Sequence, residues 1–377
     1  MELWLQDITE KLEQKIIQEC ERLGDKIPYW TENHLYQTDY AQKDTYWWTN
    51  GFWSGILWQL YHATGKEFYK EKARKQEELL DQALNGFKGL HHDVGFMWLH
   101  SAVADYRLTG SEAALNRGLH AASVLLGRYN LAGQFLRAWN PDCVEEGEDC
   151  TGYVIVDSMM NIPLLYWASE ITKDPRFYQI AVSHANTIAS CLIREDGSSG
   201  HIASIDPLTG VLKEILTGQG YSNTSSWSRG QSWILYGFAL SYHYTKDPRF
   251  LAIAKQMAHY FIFNITLNDY IPLCDFRQPT DSPYVDTSAG LCAACGLLEI
   301  AKLTDPSESH LYKKHAIRLI QAITDRYCDW NPDTDGIIQG CKVAFHDDPR
   351  EQTDLIYADY FLTEAILRLQ EKHFLIW

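Results

Sequence analysis

Thr-Lys-Asp-Pro-Arg-Phe occurs twice in this sequence, at residues 172–177 and again at residues 245–250. In both copies an apolar segment with a period of 3.6 residues precedes the threonine, and another follows the phenylalanine. Aspartate directly before proline is typical of a helix start, because aspartate caps free N–H groups and proline fits the first turn. Each copy therefore predicts a turn between two helices.

Shorter versions of this segment follow other apolar stretches, at Thr64-Gly65, Thr109-Gly110 and Thr304-Asp305-Pro306. With the two full copies they place threonines 45, 63, 73 and 59 residues apart. Such a spacing is typical of a repeated helical hairpin, and the pair Asp305-Pro306 again predicts a capped helix start.

The apolar periodicity predicts about twelve helices in six hairpins, without a strand signal. The first helices of the pairs are predicted at residues 2–23, 67–86, 111–128, 175–192, 247–263 and 308–328, and the second at 52–64, 94–109, 156–173, 230–244, 285–304 and 354–371. The second helices are more apolar, which places them inside. Six hairpins predict an all-α (α/α)6 barrel, with a solenoid as the competing layout. No linker rich in Pro, Gly or Ser divides residues 1–377, so we expect one domain.

The net charge is −16, and no cluster of Lys and Arg would face a phosphate backbone, which argues against nucleic-acid partners. The acidic start, residues 1–7, lacks the features of a secretory signal, and no apolar run approaches a membrane span. The nine cysteines are scattered, and the one CxxC spacing, Cys292 to Cys295, lies in an apolar helix-like run, which indicates reduced, buried thiols rather than disulfides or zinc ligands. We therefore expect a cytoplasmic protein without membrane contact, whose oligomeric state the sequence leaves open.

Aromatic residues are unusually frequent, with 13 Trp and 22 Tyr. This number exceeds what core packing needs and indicates stacking surfaces, for which sugar rings are the usual guests. In a toroid the N-termini of the inner helices gather at one mouth, so residues before those helices converge in space. The distinctive segments at these positions are 47–55, 91–96, 157, 226–233, 284–289 and 357–360.

Two carboxylates stand out in these segments, Asp93 and Asp157. Asp157 lies in the apolar stretch 153–167, where burial would raise its pKa and suit it to proton transfer. The alternative for both aspartates is a helix cap, since each directly precedes an apolar helical run. Their shared place at the mouth favours a catalytic pair for Asp157 and leaves capping as the simpler explanation of Asp93 by itself.

Arg229 lies between Trp227 and Trp233, an arrangement that favours binding of a substrate carboxylate between indole walls over an ordinary ion pair. Trp48 and Trp139 are either sugar platforms or core residues, and an isolated tryptophan is more often core. The pair His91-His92 has no third ligand at helical spacing and no HExxH string, so we expect hydrogen-bonding histidines and no metal.

Several strings resemble the unsaturated glucuronyl hydrolases of glycoside hydrolase family 88: HHDVGF at 91–96, IVD at 155–157, WSRGQSW at 227–233, GFWSG at 51–55 and ACGLLEIA at 294–301. The rhamnogalacturonyl hydrolases of family 105 share the fold but typically carry Arg-Gly-Asn-Gly-Trp where this chain has RGQSW. The resemblance spans nearly the whole chain and favours family 88.

The resemblance implies an (α/α)6 barrel and a reaction without metal or cofactor. The substrate would be a saccharide with a Δ4,5-unsaturated uronic acid at its non-reducing end, whose C4=C5 bond is hydrated to a hemiketal that expels the next sugar. Asp157 would protonate C4 and accept the proton of the water that adds at C5, and Asp93 would hold ring hydroxyls and tune Asp157. The subsite residues implied by the same matching are Trp48, His92, Trp139, His201, Gln219, Trp227, Arg229 and Trp233.

Two departures from the family pattern bear on specificity. Asn50 stands where some members have aspartate, a change we expect to be tolerated. Members that prefer sulfated disaccharides share a C-terminal Ser-x-x-Ser-x-Lys element, whereas no serine occurs here after Ser309. We therefore expect unsulfated or weakly sulfated substrates.

Four other functions remain as alternatives. A rhamnogalacturonyl hydrolase or an inverting glycosidase would use the same toroid, the latter on saturated chains. A sugar epimerase would need histidine where aspartate begins the inner helices. A non-catalytic helical-repeat binder would leave the aromatic, arginine-bearing mouth unexplained.

Overall fold

The computed structural model of the protein describes residues 2–346 and 353–377, which are mainly helical. The α-helices in these ranges are α1 Glu2–Leu23, α2 Tyr40–Lys43, α3 Phe52–Thr64, α4 Glu67–Gly86, α5 Val94–Trp98, α6 Ala104–Thr109, α7 Glu112–Leu126, α8 Ser158–Asn161, α9 Pro163–Thr172, α10 Pro175–Leu192, α11 Ser228–Thr245, α12 Pro248–Thr266, α13 Thr287–Leu303, α14 Pro306–Tyr327 and α15 Ile356–Leu369. A π-helical turn, Leu99–Val103, joins α5 to α6. No helix within the described ranges combines the length and the hydropathy that a bilayer crossing requires.

The helices form two concentric rings. The inner ring runs from α3 through α5–α6, α8–α9, α11 and α13 to α15, and α15 packs against α3. Helices α1, α4, α7, α10, α12 and α14 lie outside and pack on their inner partners. Because the last inner helix contacts the first, the hairpins close into a toroid, which confirms the (α/α)6 barrel and excludes the open solenoid.

Burial explains which helix of each pair lies inside. Every residue from Ser228 to Ser241 of α11 is buried. Helix α12 instead buries a single stripe, formed by Phe250, Ala254, Met257, Ala258, Phe261 and Ile265. A helix that is buried on all sides belongs to the inner layer, whereas one apolar stripe suits the outer layer. The prediction that the second helices are inside is confirmed.

The repeated turns form largely as their sequence predicts. Asp174 and Asp247 each accept a hydrogen bond from the main-chain N–H two residues later, and proline occupies the first turn. Lys173 and Lys246 end the preceding helices with φ of 60° and 58°. Asp305 is different, because its side chain makes no cap hydrogen bond, so the predicted cap is wrong there.

The absence of strands was predicted wrongly. Strands β1 Tyr129–Asn130 and β2 Phe135–Leu136 pair in a small hairpin, while β3 Tyr153–Ile155, β4 Ile202–Ile205 and β5 Leu212–Leu216 form an antiparallel sheet. These strands are too short for an alternating pattern to appear. The sheet has a role in the site, because Asp157 follows β3 and His201 directly precedes β4.

A buried ionic cluster joins three inner helices in the interior. Arg368 on α15 donates to Glu364 Oε1 at 2.7 Å, to Glu299 Oε2 of α13 at 2.8 Å and to the Tyr236 hydroxyl of α11 at 2.6 Å. The Trp377 indole donates to Glu364 Oε2 at 3.0 Å. Burial is compensated here by charge pairing and hydrogen bonds, which fixes the helices relative to one another.

Candidate active site

A cavity of about 500 Å3 opens where the inner helices begin. Eight of the ten residues predicted for the site line it: Trp48, Asp93, Trp139, Asp157, Gln219, Trp227, Arg229 and Trp233. His92 and His201 are not among the lining residues and lie behind the two aspartates. The remaining lining residues are Tyr29, Asp44, Tyr46, Trp47, Gly89, His91, Asp142, Cys143 and Val343. The predicted convergence at one mouth is confirmed.

Asp157 occupies the N-cap position of α8, but its side chain makes no cap hydrogen bond. The carboxylate is 20% exposed, and its Oδ1 is buried without a hydrogen-bond partner among the described residues. Burial raises the pKa of Asp157 to about 7, against the opposing effect of the Arg229 charge. The capping alternative is therefore wrong for this side chain, which is available as a proton donor or acceptor near neutral pH.

His201 faces Asp157, with its Nε2 3.8 Å from Asp157 Oδ1. Its Nδ1 lies 2.5 Å from the Thr217 carbonyl oxygen and 3.0 Å from the Gln219 main-chain nitrogen. Burial lowers the pKa of His201 to about 4, so the ring is neutral at neutral pH. The Thr217 carbonyl can only accept from Nδ1 and the Gln219 N–H can only donate to it, so each of these contacts suits a different tautomer of the neutral ring. Gly218, whose φ is 54°, allows this loop to pass close to the His201 ring, since a Cβ at residue 218 would lie only 2.5 Å from His201 Nδ1.

Asp93 precedes α5 and likewise makes no side-chain cap hydrogen bond. Its Oδ1 accepts from the Asn161 side-chain amide at 2.9 Å and lies 3.4 Å from His92 Nε2. Burial and the nearby charge of Asp157 raise the pKa of Asp93 well above its usual value. The cap explanation of Asp93 is wrong, and the two acids share one electrostatic environment.

The histidine pair does have a third potential ligand close by. His91, His92 and Asp93 place their ligand atoms within 4.8 Å of one another. The three residues already contact one another without an ion. His91 Nδ1 accepts a hydrogen bond from the Asp93 main-chain N–H at 3.4 Å, and His92 Nε2 lies 3.4 Å from Asp93 Oδ1. Burial lowers the pKa of both histidines, so neither is charged at neutral pH. A hydrogen-bonding role accounts for these contacts, and a site without metal stays a prediction.

Arg229 is almost fully buried and forms an ion pair with Asp286, the N-cap of α13. Its guanidinium also donates to the main-chain oxygens of Lys342 at 2.7 Å and Val343 at 2.6 Å. The ion pair that the sequence left as the weaker alternative is therefore present. Arg229 still lines the cavity and opposes the rise in the pKa of Asp157.

Aromatic rings form the walls of the cavity. The Arg229 guanidinium lies 4.5 Å from the centre of the Trp227 ring. The ring centres of Trp48 and Tyr357 are 5.0 Å apart, with 37° between their planes. Trp233 is only 1% exposed, so it supports the wall more than it offers a free face.

Cys143 is exposed at the rim of the cavity, contrary to the expectation that the thiols are buried. All nine cysteines are free.

Sequence reasoning missed two residues that organise the site, Asn161 and the Arg229 partner Asp286. Asn161 lies one helical turn after Asp157, and a buried amide in an apolar run was the available signal. Asp286 directly precedes an inner helix, so its place at the mouth was predictable. The sequence pattern did not indicate that Arg229 is its partner. Their contacts span 68 residues, from Asn161 to Asp93, and 57 residues, from Asp286 to Arg229.

Comparison with known proteins gives one consistent family. The model described as Glycosyl Hydrolase Family 88 matches residues 21–355. The unsaturated glucuronyl hydrolase of Bacillus sp. (strain GL1) is 35% identical over 354 residues, which cover 93% of this chain and 92% of that protein. The unsaturated chondroitin disaccharide hydrolase of Streptococcus agalactiae serotype III (strain NEM316) is 32% identical over 384 residues, covering 97% and 93%. The crystal structure of unsaturated glucuronyl hydrolase from Bacillus sp. GL1 superposes with a TM-score of 0.90 at 34% identity, covering 97% of both chains.

Proposed function

This chain belongs to glycosyl hydrolase family 88, and from that premise we propose that it releases Δ4,5-unsaturated glucuronic acid from the non-reducing end of oligosaccharides that lyases produce. One observation carries the proposal. Asp157 lines a cavity of about 500 Å3, large enough for a disaccharide, and presents a buried oxygen that has no hydrogen-bond partner in the part of the chain that the structure describes. Its pKa of about 7 suits it to give and to take a proton within one cycle.

The reaction is a hydration of the C4=C5 bond. Asp157 gives its proton to C4, and the π electrons form the new C4–H bond while C5 and the ring oxygen share the positive charge. Water adds at C5 and returns a proton to the Asp157 carboxylate, which restores the acid. The resulting hemiketal opens at the C5–O5 bond, and the freed hydroxyl at C1 collapses to an aldehyde as the neighbouring sugar leaves with a proton.

The neighbours of Asp157 fit this cycle. His201 is neutral and lies 3.8 Å away, so it can orient the acid without competing for its proton. Asp93 lines the cavity and shares the electrostatic environment of Asp157, and its carboxyl oxygens would hold ring hydroxyls of the substrate. The Arg229–Asp286 pair holds the guanidinium against the Trp227 ring, which lines the cavity.

We also infer that residues 1–377 act as one catalytic domain in the cytoplasm. The ring closure between α15 and α3 ties the C-terminal part of the chain to the N-terminal part. The nine free cysteines suit a reducing compartment. Fractionation of cells that produce the protein tests the location.

The function is tested by following the ultraviolet absorbance of the unsaturated uronate with a panel of lyase-derived disaccharides. We expect the absorbance to disappear as the second sugar is released, because hydration removes the double bond. A matched saturated glucuronide is the control and should stay intact. Cleavage of the saturated compound, with every unsaturated chromophore left unchanged, would instead identify an inverting glycosidase.

Substrates without sulfate should be preferred. Asp44 and the exposed Asp142 belong to the cavity lining, and Arg229, already paired with Asp286, is the one lysine or arginine among the described lining residues. A sulfate on the second sugar would meet uncompensated negative charge, and like charges brought together cost several kcal/mol. We expect kcat/KM to fall by at least about tenfold with a 6-sulfated disaccharide, since about 1.4 kcal/mol already gives that factor.

In D142N, the difference in kcat/KM between the unsulfated and the 6-sulfated disaccharide should be smaller than in the wild type, because one of the repelling charges is removed. The exposed Asp333, outside the cavity, provides the matched control D333N. Faster turnover of the 6-sulfated disaccharide by the wild-type protein contradicts the proposal.

A further inference from the structure

Asn161 connects the two acids of the site through a single side chain. It ends α8 and is fully buried. Its Nδ2 donates to Asp93 Oδ1 at 2.9 Å and to the main-chain oxygen of Asp157 at 3.2 Å. An amide nitrogen carries two hydrogens, so both donors are used within the acid pair.

The orientation of the Asn161 amide is fixed by a third contact. Its Oδ1 accepts a hydrogen bond from the Phe96 main-chain N–H at 2.8 Å. A main-chain N–H only donates, so the oxygen must face Phe96 and the nitrogen must face Asp93. Gly95 makes the approach possible, because a Cβ there would lie 2.5 Å from Asn161 Cα and 2.6 Å from Asn161 Oδ1.

This arrangement determines how Asp93 can be protonated. Since Asn161 donates to Oδ1, that oxygen is held as an acceptor. Burial and the charge of Asp157 raise the pKa of Asp93, and the Asn161 hydrogen bond acts in the opposite direction. Without Asn161, Asp93 would compete more strongly with Asp157 for a proton at neutral pH.

We propose that Asn161 is a positioning residue: it holds Asp93 Oδ1 as a hydrogen-bond acceptor, favours the ionised form of this buried acid over what its surroundings alone would allow, and ties Asp93 to the main chain at Asp157. Its role in turnover rests on the proposed function, whereas its effect on Asp93 does not. Asn161 also fixes the relative position of the turns before α5 and α8, since its contacts hold both.

The test measures the titration of Asp93 by 13C NMR of protein labelled at the aspartate carboxyl carbons, with the resonance assigned from D93N. In N161A we expect Asp93 to titrate about one pH unit higher, the size accounted for by one hydrogen bond to a charged group, and in the nearly isosteric N161D the rise should be larger because the new carboxyl adds a like charge beside Asp93. The pH dependence of kcat/KM should change with it, because Asp93 and Asp157 share one electrostatic environment. N161D keeps the test available if N161A does not fold.

N268A is the matched control, because the Asn268 amide also donates to a main-chain oxygen, that of Ile271 at 2.8 Å, and does not line the cavity. This variant should leave both the titration and the profile unchanged. A purely structural role would lower the melting temperature without moving either. An Asp93 titration that is the same in wild type, N161A and N161D overturns the proposal. A wild-type protein that leaves all chromophores intact would refute the proposed function, while the NMR titration would still decide the role of Asn161.

Discussion

Replacing Asp157 by asparagine is expected to slow the loss of the unsaturated chromophore by about 10²–10⁴-fold, the usual contribution of a general acid–base group. The amide has nearly the same shape but cannot protonate C4 or accept the proton of the attacking water. KM should change little, because the lining aromatic residues are untouched. Initial rates at saturating and at low disaccharide concentration separate the two effects.

The stability of D157N should equal or exceed that of the wild type at pH 7.5. Asp157 makes no side-chain cap hydrogen bond, and its pKa is raised by burial to about 7 from an ordinary value of 3.8. A raised acid pKa means that the native state holds the proton more tightly, so wild-type stability declines as pH rises from about 4 to 7, and the amide avoids this loss. Thermal melts at pH 5 and pH 7.5 measure it.

In the wild type, the rate should decline above pH 7 as Asp157 loses the proton that C4 needs. The exposed Asp333 gives the control D333N, whose rate and melting temperature should match the wild type. If D157N keeps more than about a tenth of the wild-type rate, Asp157 is not the general acid, since such groups contribute at least about 10²-fold.

Replacing Arg368 by methionine is expected to lower the free energy of unfolding at pH 7 by about 3–5 kcal/mol, the usual cost of removing one partner from a buried ion pair. Glu299 and Glu364 would then remain buried without their shared cation. Methionine fills much of the volume, so the loss comes mainly from charge. Urea unfolding of both proteins at pH 7 measures the difference in free energy.

The deficit of R368M should shrink as pH falls from 7 to 5. In the wild type, Arg368 helps to hold the pKa of Glu364 below its usual value against the effect of burial, so the stability from that carboxylate is present above pH 4.5 and lost only at lower pH. Without the cation, burial raises the pKa, and the variant gains stability as the acid takes up a proton.

The exposed pair of Arg176 with Asp174 provides the control for R368M. R176M should leave the free energy of unfolding nearly unchanged, because solvent screens a surface ion pair. A comparable loss in the two variants would show that the buried cluster of Arg368, Glu299 and Glu364 has no special role in holding the inner helices together.

The sequence by itself determined the features that depend on neighbours within one or two helical turns. The repeat Thr-Lys-Asp-Pro-Arg-Phe specified helix ends through an aspartate cap and a proline first turn, and both caps formed as predicted at Asp174 and Asp247. The apolar content of each helix then indicated which of the two lies inside. Strings such as HHDVGF also marked the positions of the site residues, because Asp93, Asp157 and Trp227 directly precede inner helices and Arg229 lies in the first turn of α11.

Only the tertiary structure decided what those residues contact. An aspartate before an apolar run has the same sequence pattern whether its carboxylate turns back to a free N–H, as Asp174 does, or points into a cavity, as Asp157 does. The partners that make the difference come from other hairpins: Asn161 for Asp93, Asp286 for Arg229, and α3 for α15. A local pattern cannot specify such partners, because they are set by the closure of the ring and by which helix faces meet when the core packs.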